Sequence, residues 1–151
     1  MRNQRGFTLV ELIVVIVILG ILSATALPRF INVTNEARTA AVNGLAGGLR
    51  SAVTVAQARY FATGTNTTPI NMADGTTVAV GVLLAASGVP TGTAAGIGAM
   101  MRCESATACQ GATIALTAGG DSTWTPTGGS ATCQARYNDT TGAVQAFVGG
   151  C

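Results

Sequence analysis

One carboxylate inside a long apolar run constrains this chain more than any other feature. Residues 7–27 read FTLVELIVVIVILGILSATAL, and Glu11 stands five residues into that run. At about 1.5 Å per residue a helix of this length spans roughly 32 Å, enough to cross a hydrocarbon layer of about 30 Å. The preceding residues, MRNQRG, are polar and positive, and Arg2 and Arg5 keep that end cytoplasmic by the positive-inside rule. A plain membrane anchor fits the length. A secretory signal would have a shorter apolar core with a small-residue cleavage site after it, which Ser23-Ala24-Thr25-Ala26 resembles only weakly.

Neither reading accounts for Glu11. A charge at mid-membrane depth costs about 2.5–3.5 kcal/mol even on lenient scales, so it needs a partner. The run contains no basic residue. Cleavage after Gly6 would supply one, because Phe7 would then carry an α-ammonium group. Glu11 could reach it within one helix, at i and i+4, or on a neighbour in a bundle of packed helices. The carboxylate therefore reads as an assembly device and not as a catalytic group.

Composition narrows the function further. The 151 residues suit one ordinary domain. There is no histidine and no lysine, so all eight basic residues are arginines, set against six acids. Imidazole general bases, Ser-His and Cys-His pairs, Schiff-base amines and Walker-type phosphate loops are thereby excluded. No basic patch of the kind that neutralises many phosphates is present, and no catalytic, cofactor-binding or metal site is expected. Four cysteines, Cys103, Cys109, Cys133 and Cys151, lie in the last third, with no Cys-x-x-Cys pair. An even count in an exported chain favours two disulfides, and four cysteines allow three pairings.

Beyond the run, residues 29–62 read as one helix, with Ile31, Val33, Ala37, Ala41, Leu45, Leu49, Val53 and Ala56 on the core side and Gly64 as its C-cap. Gly44, Gly47 and Gly48 interrupt it, and close helix packing is the reading for them. Residues 76–82 alternate like a strand, Asp74-Gly75 reads as a turn, and residues 93–101 follow Pro90 as a short helix. Residues 112–117, 131–137 and 143–148 are strand candidates, the last two joined as a hairpin through residues 138–142. In that hairpin Cys133 faces residue 147 or thereabouts, and Gly149-Gly150 could fold Cys151 back beside it. Cys133 with Cys151 is the favoured pair, leaving Cys103 with Cys109. Asn32, Asn66 and Asn138 each begin an Asn-x-Thr triplet, read as chance in a threonine-rich chain. Asp121 and Asp139 read as solvated loop acids, not as calcium ligands. Trp124 is read as either exposed for contacts or packed beneath a loop.

The stretch Gly6-Phe7-Thr8-Leu9-Val10-Glu11 resembles the cleavage motif of type IV prepilins and type II secretion pseudopilins. Residues 26–33 and Glu36-Ala37-Arg38 look like the mannose-sensitive haemagglutinin group of type IVa pilins. The resemblance runs from Arg5 to about Phe61. It implies cleavage between Gly6 and Phe7 by a prepilin peptidase, N-methylation of Phe7, and an assembly role for Glu11 with Phe7. It places Pro28 where the family's helix bends, and a disulfide near the C-terminus is usual in these pilins. The implied fold is α+β, a long bent N-terminal helix packed on a small antiparallel sheet. The implied organisation is a leader (1–6), a transmembrane and filament-core segment (7–28), and an external domain (29–151).

The expected protein is thus the major subunit of a type IV pilus-like filament, serving surface adhesion, with motility or DNA uptake as further uses. Its expected partners are copies of itself, the inner membrane before assembly, the prepilin peptidase and the assembly machinery, with no specific nucleic acid. A pseudopilin of a type II secretion system is the alternative, and a membrane-anchored enzyme a third. The paired cysteines and terminal hairpin favour the first over the second. The missing histidine and lysine weigh against the third.

Overall fold

The computed structural model describes residues 6–64, 68–81 and 87–151, without the side chains of residues 27–32. The chain is an α+β protein. One helix, α1 (Leu9–Thr63), is followed by β1 (Ile70–Asn71), β2 (Thr77–Val78), a π-helical turn (Ala94–Gly98), β3 (Ala108–Cys109), β4 (Ala112–Ala115), β5 (Asp121–Pro126), β6 (Gln134–Asn138) and β7 (Val144–Phe147). Helix α1 stops at Gly64, whose φ of +63° suits a residue without a Cβ. The chain divides into two units, residues 1–36 and 37–151. Pro28 lies inside α1, and the bend expected there falls among residues whose side chains lie outside the described set.

In the first unit the 18 residues Leu9–Ala26 are long and apolar enough to cross a membrane, and none of them is covered. The large side chains from Leu9 to Leu22 are 47–73% exposed. So long an exposed apolar surface is consistent with a membrane anchor or with packing against other apolar helices.

In the second unit α1 buries Val42, Leu45, Ala46, Leu49, Ala52, Val53, Ala56 and Tyr60. This stripe alternates steps of three and four residues, which holds one face of a 3.6-residue helix. The expected ladder advanced mainly by fours from Ala37, and each such step drifts about 40°. Ala37 and Ala41 are accordingly exposed. Gly48 is packed, since a Cβ there would meet Met101 Cε at 3.3 Å, whereas Gly44 and Gly47 have nothing within 4 Å. Close packing thus explains one of the three glycines within the chain.

The stripe packs on an antiparallel sheet ordered β3-β4-β5-β6-β7. Ile114, Trp124, Ala135 and Tyr137 face it, with Val89 and Ile97 beside them. Ile114 pairs with Trp124, and Trp124 with Ala135, so the core residues of β4, β5 and β6 lie in one row. The hairpin β6–β7 pairs Tyr137 with Val144 and Gln134 with Phe147, one residue away from the expected register. A smaller cluster, Ala56, Tyr60, Ile70, Val78 and Val80, sits with the two-stranded sheet β1–β2.

Three expectations are corrected here. Residues 121–126 form β5, a central strand, and not a loop. The strand expected over 76–82 shrinks to β2, with an isolated bridge from Val80 to Pro90; Val82 lies outside the described residues. The helix expected over 93–101 is broken at Gly96 (φ −97°, ψ −107°), where a Cβ would strike Thr91.

Candidate functional site

The N-terminal motif forms the start of α1. Thr8 is its cap: the Thr8 N–H and hydroxyl each donate to Glu11 Oε2 at 3.0 Å, and Glu11 N–H donates to Thr8 Oγ1 at 3.2 Å. This reciprocal Thr-x-x-Glu arrangement is a capping box, which satisfies otherwise orphaned donors at a helix N-terminus. Glu11 also lies in the first turn, where the helix dipole favours negative charge. Glu11 thus has a neutral partner, Thr8, within its own segment, although the run holds no basic residue. Among the described residues its second oxygen, Oε1, accepts nothing. Gly6 and Phe7 precede the helix, both exposed, and Phe7 is 88% exposed. The motif therefore presents an accessible peptide bond, a capped helix start and a half-engaged carboxylate within six residues.

The four cysteines form Cys103–Cys109 and Cys133–Cys151. The second bond holds the residues after β7 against the segment before β6. Arg38 NH1 also donates to the Cys151 carbonyl, at 3.4 Å. Arg50 and Arg59 repeat that device, donating to the carbonyls of Val144 (3.2 Å) and Asn71 (2.8 Å). Three arginines on α1 thus reach three separate segments, using fixed-geometry donors on long stems.

The remaining candidate residues behave differently from the expectation. Trp124 is fully buried and meets Tyr137 edge-on, with ring centroids 6.5 Å apart, so it is neither exposed nor under a loop. Asp139 is only 8% exposed and is not a solvated loop acid. Its Oδ2 accepts from Gly92 N–H and Gly119 N–H, each at 2.8 Å, tying the β6–β7 turn to two other segments. Beside it the buried Tyr137 hydroxyl donates to the Pro90 carbonyl. Burial, and then the Asp139 charge, push the Tyr137 phenol above its ordinary range. Asp121 begins β5 and lies 3.6 Å from Arg136 NH1. Asn138 Nδ2 is engaged with Asp121 Oδ1, so its triplet is a structural turn; Asn66 and the Asn32 side chain lie outside the described residues. Among the described residues no three His, Cys, Asp or Glu side chains cluster to hold a metal.

Thr8 is the residue that sequence reasoning missed, and Asp139 the one it misread. The Thr-x-x-Glu spacing was a legible signal for the first. Nothing local signals the second, because its partners stand 47 and 20 residues away.

Comparison with known proteins places this geometry. Residues 1–27 match the prokaryotic N-terminal methylation motif. The chain is 52% identical over 54 residues to the type IV narrow pilus major component PilA5 of Thermus thermophilus, covering 36% of this chain and 47% of that protein. It is 39% identical over 83 residues to a fimbrial protein of Moraxella nonliquefaciens, covering 54% and 51%. It is 51% identical over 51 residues to the type IV major pilin protein PilE1 of Neisseria gonorrhoeae, covering 34% and 31%. The chain spans about half or less of the length of these curated relatives. No solved structure matches the chain. With its methylation motif and its long N-terminal helix, the N-terminal part of the chain is similar to that of type IV major pilins. These relatives are structural subunits of pili and fimbriae, not enzymes.

Proposed function

We propose that this chain is the major structural subunit of a type IV pilus-like filament. Residues 1–6 are the leader, residues 7–28 the membrane and filament-core segment, and residues 29–151 the external domain. Before assembly the subunit waits in the inner membrane, held by the apolar start of α1. A prepilin peptidase cuts between Gly6 and Phe7 and methylates the new amine. The observation that carries this reading is the uncovered apolar stretch Leu9–Ala26, interrupted by a single carboxylate close to the cut.

Moving that helix from lipid into a bundle of identical helices replaces one apolar surrounding with another. The gain is therefore mainly packing, not the hydrophobic effect. Direction and stagger need a polar device, and Glu11 with the Phe7 ammonium supplies it. Thr8 holds one oxygen of the carboxylate in place, leaving Oε1 for the cation. A bend at Pro28 would follow from its ring and its missing N–H. Repeated between copies of the chain without a rotation that closes into a ring, a head-to-tail contact of this kind builds a fibre. Its surface then serves attachment, and the same fibre can serve motility or DNA uptake. The pilus names of the three relatives favour this reading over a secretion pseudopilus.

The test is a strain whose own gene carries Glu11→Ala. The variant subunit is expected in the inner-membrane fraction at normal abundance, with surface filaments reduced at least about tenfold, since the loss of an ion pair removes more than the about 1.4 kcal/mol that a factor of ten represents. Filaments at wild-type density would refute the role of Glu11.

A further inference from the structure

Beside the main core, the hairpin β1–β2 is attached to α1 through the smaller cluster of Ala56, Tyr60, Ile70, Val78 and Val80. Each of its strands is two residues long, so the hairpin has little stability of its own. Two methionines pack against this cluster, Met72 from the hairpin and Met100 from the segment after the π-helical turn. Met100 packs against the main core as well, so it joins the two clusters. Met72 opens the hairpin turn: its N–H donates to the Thr76 carbonyl at 2.8 Å, and its carbonyl accepts from Gly75 N–H at 3.1 Å.

The two ends of the hairpin are held differently. Main-chain bonds from Ala79 N–H to the Ala95 carbonyl and from Thr91 N–H to the Ala79 carbonyl hold the end away from the turn. The tip rests on side chains. Arg102 NH2 pairs with Asp74 Oδ2 at 2.6 Å, but those side chains are 78% and 42% exposed. Arg59 Nε donates to the Asn71 carbonyl at 2.8 Å, also in an exposed position. Exposed pairs contribute little, which leaves the thioethers of Met72 and Met100 as the apolar support of the tip. Both methionines are half-buried and line one surface cleft with Asp74, Thr76 and Arg102. Met101 does not line that cleft and is only 4% exposed.

We infer that Met72 and Met100 form an oxidation site for hydroperoxides, and that their oxidation releases the tip of the hairpin β1–β2. Each thioether sulfur attacks one oxygen of hydrogen peroxide. An S–O bond forms as the O–O bond breaks, and the sulfur gives up two electrons. The departing hydroxide takes the proton of the transferred oxygen and leaves as water. A flexible apolar side chain thereby becomes a polar sulfoxide. Its oxygen either faces apolar neighbours without a hydrogen bond or draws Arg102 away from Asp74. Either result weakens the tip, while the main-chain bonds of Ala79 keep the other end in place.

The full chain in detergent micelles is treated with hydrogen peroxide and digested, and tandem mass spectrometry places the added oxygens. Met72 and Met100 are expected to be oxidised several-fold faster than Met101. Amide exchange at residues 71–77 of the oxidised protein is expected to rise about tenfold, with exchange in β4, β5 and β6 unchanged. The double variant Met72→Leu with Met100→Leu keeps similar side-chain volume and is expected to lose this response to peroxide. The single variants Met72→Leu and Met100→Leu disturb the packing less, and each is expected to show a smaller response than the wild type. Oxidation of Met101 as fast as that of the other two would overturn the inference. So would unchanged exchange at residues 71–77 after oxidation, or a full response in both single variants.

Discussion

Thr8 and Glu11 show how much one short spacing can carry. Their capping box fixes both a helix start and the position of a carboxylate. Thr8→Ala is expected to cost about 1 kcal/mol of local helix stability. Amide exchange at residues 9–12 should accelerate about fivefold, with exchange in the β-sheet unchanged. Tyr137 gives a second residue-level prediction. Its phenol is neutral and buried, and its folded pKa is raised, so its contribution is fully present below the unfolded value near about 10. That contribution is lost as the pH rises through the folded value. Between about pH 9 and 12, Tyr137→Phe should lose less stability on titration than the wild type, while being about 1 kcal/mol less stable at neutral pH without its bond to Pro90. Chemical denaturation across that pH range checks both parts. The cysteine pairs were legible at this scale because their partners lie close in sequence. Asp139 was not, because its partners come from distant segments.

The elements were legible in proportion to their local pattern. Helix α1 announced itself by length and apolar content, and its end by Gly64. Its buried face was misjudged because a step of four residues is a tempting approximation to a step of 3.6. That correction has a consequence for the glycines. Gly47→Ala places a methyl group in open space and should stabilise the unit of residues 37–151 by about 0.5–1 kcal/mol. Gly48→Ala meets Met101 and should gain less or nothing. Thermal unfolding of the two variants in detergent tests the contrast. Strand β5 was hidden, since Gly119-Gly120 before it and Pro126 at its end imitate loop chemistry. The alternation that betrays it is Ser122, Trp124 and Pro126 turned inward. Trp124→Ala removes the largest buried side chain of the sheet and should cost about 3–5 kcal/mol, read as a fall in the denaturation midpoint.

At the scale of the whole molecule, the absence of lysine acquires a structural correlate. Arg38, Arg50 and Arg59 of α1 act as long forks to main-chain carbonyls at Cys151, Val144 and Asn71. The paucity of charge leaves residues 29–151 near neutral, which suits the proposed surface repeated many times in one fibre. A subunit designed to stay monomeric in water would not leave Leu9–Ala26 uncovered. The central claim is that cleavage after Gly6 creates the cation that assembly needs. Intact-mass spectrometry of filaments sheared from cells tests it most directly. The account predicts a chain that starts at N-methyl-Phe7 and is four hydrogens lighter than its reduced form, as two disulfides require. Filaments built from chains that retain Met1–Gly6 would contradict it.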